Sequence, residues 1–112
     1  MIEKFTAYAD GWRRGDLQTI LDACAEDFVY DSPYEGRFTK DEFAAYFKEA
    51  YVPHIPEDGD LVTVTDIVCE ERDGEVLAWC WWKDRTAEGA ALARVGADGV
   101  HSQKVATYSP PT

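Results

Sequence analysis

The sequence predicts an α+β domain, with a curved antiparallel sheet wrapped around three N-terminal helices and an internal pocket. Three observations carry this. Amphipathic helical segments fill the first half of the chain, and four strand-like runs fill the second. Asp73-Gly74 and Asp98-Gly99 supply hairpin turns between strands. Helices packed on one face of a curled sheet leave space between the layers, so a small-molecule site is the leading functional idea.

The elements follow in order. Ile2, Phe5, Tyr8, Ala9 and Trp12 recur at helical spacing, and Gly15 can stop that helix in the left-handed conformation. Asp16 caps a second helix, whose stripe is Leu17, Ile20, Leu21 and Cys24. Phe28-Val29-Tyr30 reads as a brief strand running into a turn at Ser32-Pro33 and Glu35-Gly36. Thr39 and Glu42 form a capping box, flanked by Phe38 and Phe43 as a hydrophobic staple, so the third helix starts at Thr39. Pro53, Pro56 and Gly59 mark a loop. Strand runs follow at about 61–71, 75–85, 89–96 and 100–108. One bulge in the last run would exchange the faces of His101 and Gln103 with those of Ser102 and Lys104. Ser109 to Thr112 reads as a frayed tail.

The 112 residues suit one domain, 1–112, with a single core. Acidic residues number 22 against 11 basic ones, and the net charge of −11 argues against nucleic acid or an anionic membrane as partner. Cys24, Cys69 and Cys80 are odd in number and widely spaced, so no disulfide framework is expected. His54 and His101 stand far apart with no clustered acidic partner, so no metal is expected. No apolar run approaches the roughly 20 residues of a membrane span. The first residues lack the apolar core of a signal peptide, and a cytoplasmic protein is expected.

The candidate site residues are mostly aromatic. Gly89 to Arg94 is poor in bulk, and alanines facing the helices would leave volume open unless the aromatics opposite fill it. Trp12, Tyr30, Ser32, Phe43, Phe47, Trp81 and Tyr108 are the candidate contacts for a hydrophobic small molecule. Asp31, beside a proline turn and apolar rings, is the candidate general base. Tyr8, on the inner stripe of the first helix, is the candidate donor to developing negative charge. Tyr30 and Ser32 face opposite to Asp31 in a regular strand, so the base and its neighbours compete for the cavity. Trp79 and Trp81 alternate with Cys80 and Trp82. A strand bulky on both faces needs cover on both, and the face without helices is a candidate homodimer interface.

Tyr8, Gly15-Asp16, Ala25 to Phe28, Asp31-Ser32-Pro33 and a final hairpin into Tyr108 together resemble the nuclear-transport-factor-2-like superfamily, in its SnoaL-like branch of polyketide cyclases and ketosteroid isomerases. The resemblance covers nearly the whole chain. It implies a cone-shaped fold with a deep pocket, and either cofactor-free acid–base chemistry of isomerase, cyclase or hydrolase type or a non-catalytic dimerisation or assembly module with a filled pocket. Tyr8 falls on the isomerases' catalytic tyrosine. Their base, an aspartate directly before proline, falls on Ser32, with Asp31 one residue early. Their second acid falls near Ala91, and the cyclases' acidic residue falls near Ala106 or Thr107. The acid–base sets of those enzymes are therefore not reproduced.

Overall fold

A computed structural model describes residues 1–109; of the tail expected at Ser109 to Thr112, Ser109 instead ends the last strand, and Pro110 to Thr112 lie outside the described residues. Helix α1 spans Ile2–Arg14 and ends at Gly15, whose φ of 71° is the left-handed conformation expected there. Helix α2 spans Leu17–Ala23, and the Asp16 side chain accepts a hydrogen bond from the Thr19 N–H at 3.2 Å. Helix α3 spans Lys40–Ala50 and carries both halves of the Thr39–Glu42 capping box. Phe38, just ahead of the cap, stacks on Tyr46 with ring centroids 4.7 Å apart. A 3-10 turn at Val52–His54 follows.

Six strands form one sheet: β1 Cys24–Ser32, β2 Gly36–Thr39, β3 Thr63–Arg72, β4 Glu75–Lys83, β5 Glu88–Gly96 and β6 Gly99–Ser109. Their order is β2-β1-β6-β5-β4-β3. The sheet curves around the helices without closing into a barrel. All neighbours pair antiparallel except β1 and β6, which run parallel. That pairing brings the strand after α2 beside the last strand and makes β1 longer than its Phe28–Tyr30 centre suggests.

The turn at Asp73-Gly74 has φ of 53° and 81°, both positive as a type I′ hairpin requires. The last hairpin differs from expectation. Gly96 pairs with Gly99, so its loop is Ala97-Asp98. Gly99 is there for close approach: a Cβ would lie 2.6 Å from the Ala23 carbonyl oxygen. The core sits between sheet and helices, with Phe28, Phe43, Phe47, Ile20, Val95 and Val100 fully buried. Among the described residues, no helix is long and apolar enough to cross a membrane.

Candidate functional site

A cavity of about 260 Å³ lies between α1, the end of α3 and the inner face of the sheet. Its buried end is built from α1 and β6. Phe5, Tyr8 and Trp12 share one helical stripe, and all three reach the cavity wall. Gln103 meets them because β6 carries a bulge: the pairing shifts between Val95–Val100 and Arg94–Ser102. The extra residue turns both Val100 and Gln103 inward and leaves Lys104 exposed. The Tyr8 hydroxyl donates to Gln103 Oε1. Beside it, the Trp12 indole N–H is buried without a partner. A buried donor without an acceptor is costly, so this end of the cavity is primed for an acceptor atom.

The open end is built from turns. Tyr30 and Ser32 project inward from β1, and the Ser32 hydroxyl donates to Glu35 Oε2 at 2.6 Å across the tight turn before β2. Asp84 follows β4, and its Oδ1 accepts from the backbone N–H groups of Thr86 and Ala87, each at 2.8 Å. Tyr46 and Tyr51 come from the C-terminal half of α3 and its C-cap, with their hydroxyl oxygens 3.4 Å apart. Trp82 is fixed on the wall by its indole N–H, which donates to the Ala90 carbonyl at 3.1 Å.

The phenols here are donors and not bases. Burial holds Tyr8 and Tyr30 well above the ordinary tyrosine range. Burial also raises Tyr46 and Tyr51, and the nearby Glu35 carboxylate adds to both shifts. The Cys80 thiol on the wall is pushed up to about 11 by burial, so it stays protonated and unreactive at neutral pH.

Of the residues expected at the site, Tyr8, Trp12, Tyr30 and Ser32 lie together on the cavity wall. Asp31 does not. Strand alternation turns it to the outer face, where its register partners are Arg37 on β2 and Lys104 on β6. Phe43 and Phe47 are 0% exposed and stand behind the wall as its support. Phe43 lies 5.0 Å from Tyr30 and Phe47 lies 5.3 Å from Trp12, between ring centroids. Trp81 and Tyr108 pack on each other outside the cone, at 5.8 Å, because Cys80 and Trp82 take the inward positions of β4. The alanines Ala91 and Ala93 are buried but lie off the cavity wall.

Gln103, Glu35, Asp84, Tyr46 and Tyr51 are wall residues that sequence reasoning did not assign. A three-residue spacing of Ser32 and Glu35 around a proline turn was the available signal for one of them. Gln103 depended on the bulge.

Residues 5–106 match the family model described as the SnoaL-like domain. Three solved structures are similar in fold. A putative aromatic ring hydroxylase from Novosphingobium aromaticivorans matches with a TM-score of 0.74 and 13% identity, covering 99% of this chain and 88% of that one. A putative polyketide cyclase from Xanthomonas campestris matches at 0.63 and 20%, covering 93% and 87%. A ketosteroid isomerase-like protein from Erwinia carotovora atroseptica matches at 0.66 and 16%, covering 97% and 94%. At these identities the likeness is one of fold. No curated protein matches the chain.

Proposed function

The chain belongs to the SnoaL-like domain family, and from that premise we propose that its cavity binds a small, largely apolar molecule carrying a hydrogen-bond acceptor at one end. The observation that carries this is the unpartnered Trp12 N–H beside the Tyr8–Gln103 pair, at the buried end of a cavity walled by rings. The rings contribute apolar contact and the donors fix orientation, the usual division of labour in such sites. A ligand carbonyl or ether oxygen at that end would satisfy the indole N–H and meet the free side of the Gln103 amide.

Binding is favoured over base catalysis by Asp31, because that carboxylate faces away from the cavity. Tyr8 gives its single O–H to Gln103 Oε1 and so acts on a ligand by holding that amide in place. The test uses aryl ketones and their matched hydrocarbons, followed through the fluorescence of Trp12 and Trp82. Ketones should bind about fivefold more tightly than the hydrocarbons, as one hydrogen bond to a neutral donor allows. Tyr8→Phe or Gln103→Leu should shrink that preference. Saturable binding by neither class would overturn the reading.

A second reading concerns assembly and does not compete for the cavity. Val68, Trp79 and Tyr108 on the outer sheet face are 62%, 49% and 77% exposed, and Val68 is the register partner of Trp79. Apolar area of this kind marks association, and a second copy of the chain would cover it sheet to sheet. We assign the homodimer to this face. The open volume inside argues against the filled-pocket form of an assembly module.

A further inference from the structure

We propose that the open half of the cavity receives the ammonium group of a small organic amine, tertiary or quaternary, whose apolar body runs inward toward Tyr8 and Trp12. This rests on the cavity being a ligand site, and it names the class of ligand.

The first support is the sign of the charges. Glu35 and Asp84 are the charged residues on the cavity wall, and no lysine, arginine or histidine lines it among the described residues. Each carboxylate is held by one oxygen only. Glu35 Oε2 accepts from Ser32, and Asp84 Oδ1 accepts from the turn that follows it. Arg85 and His54 line the neighbouring groove beyond Tyr51 and Asp84. The whole chain carries −11, so its long-range field also draws cations.

The second support is ring geometry. Tyr51 stands at 89° to Trp12 and 85° to Tyr46, with centroids 5.1 and 5.6 Å away. Tyr30 lies within 30° of both Trp12 and Tyr46, at 28° and 29°. The four rings thus form walls meeting at a right angle, and all four line the cavity. Tyr and Trp rings bordering a cavity that also holds carboxylates are the surroundings that recognise alkylated ammonium. The open half disfavours an anion by charge. Glu35 and Asp84 repel it, while the Tyr46 hydroxyl is turned to the Tyr51 oxygen.

The experiment compares acetylcholine with its neutral isostere 3,3-dimethylbutyl acetate, by titration calorimetry on the wild-type protein. The two probes share shape and an ester oxygen for the Trp12 end, and they differ in one charge. Acetylcholine should bind at least about tenfold more tightly, and 0.5 M salt should narrow the gap. In the Glu35→Gln, Asp84→Asn double variant the ratio should fall below about threefold, since Gln and Asn keep the accepting oxygens used by Ser32 and the turn while losing the charge. Equal affinities in the wild type would overturn the ammonium assignment and leave the acceptor-binding reading standing on the neutral ester. A preference for the cation that survives the double variant would overturn the role of the two carboxylates. Binding of neither probe would overturn this proposal, and the ketone titration then decides the parent reading separately.

Discussion

Strand β4 has two faces, and they do different work. Its inward residues are Ala78, Cys80 and Trp82, and its outward ones include Trp79 and Trp81. Inside, small side chains on β4 and β5 face large rings on the helices. Ala78, Ala91 and Ala93 are 0, 4 and 1% exposed. Close packing holds in that stretch, and the layers part only farther along the cone, where Trp82 and the α3 tyrosines line open space. Outside, the same strand puts Trp79 into water at 49% exposure. The inner face is therefore a matched layer with one gap, and the outer face is unmatched apolar area. A void bordered by donors suggests a ligand, whereas a flat apolar surface suggests a partner.

The sharpest way to break the contrast is to remove the support behind the cavity wall. Phe43 is fully buried against Tyr30, Phe28 and Trp12. Phe43→Ala should cost about 3–5 kcal/mol in urea denaturation. A loss below about 1 kcal/mol would mean the helices and the inner face are not a packed layer. Tyr8→Phe comes next. It keeps the ring among its neighbours but leaves the Gln103 amide without its buried partner, at a cost of about 1–2 kcal/mol. No loss would show that Gln103 is satisfied without the phenol.

The outer face should respond in the opposite manner. Trp79→Glu puts a charge where the proposed partner sheet would lie. The dimer should dissociate at least about tenfold more readily by light scattering, while the monomer's stability changes by less than about 1 kcal/mol. A monomeric wild type, or an unchanged dimer in the variant, would remove the outer face from consideration as the interface.

The features legible in the sequence were the ones set locally. The Thr39–Glu42 capping box, the Gly15 stop and the Asp73-Gly74 hairpin each depend on residues a few positions apart, and each appears as expected. The alternation of Trp79 to Trp82 likewise needs only the period of a strand. The features that were not legible depend on partners far along the chain. Asp98-Gly99 looks like a second type I′ turn, yet Gly99 is occupied by close packing on Ala23 and the loop moves back by one residue. The bulge at the start of β6 decides that Gln103, not Lys104, meets Tyr8. The parallel pairing of β1 with β6 is a long-range contact with no local signature. Asp31 is a different case, because strand alternation already sets it opposite Tyr30 and Ser32. Its chemistry suits a base, but the inward positions of β1 belong to Phe28, Tyr30 and Ser32.

The smallest expected effect tests the outer surface near that bulge. His101 sits between two carboxylates, with Nδ1 2.5 Å from Asp27 and Nε2 2.7 Å from Asp98. Burial alone would lower its pKa, but the hydrogen bonds to Asp27 and Asp98 outweigh it and raise the value above the ordinary 6.5. The folded state therefore holds this proton more tightly than the unfolded chain does. The resulting stability is complete below pH 6.5 and is lost as the pH rises through the raised value. The two carboxylates are 72% and 68% exposed, so solvent screening keeps the contribution to no more than about 0.5 kcal/mol. The difference in unfolding free energy between wild type and His101→Gln should accordingly shrink between pH 6 and pH 8. A difference that stays level across that range would show that the imidazole ties β6 to Asp27 and Asp98 by hydrogen bonding alone, with no contribution from its charge.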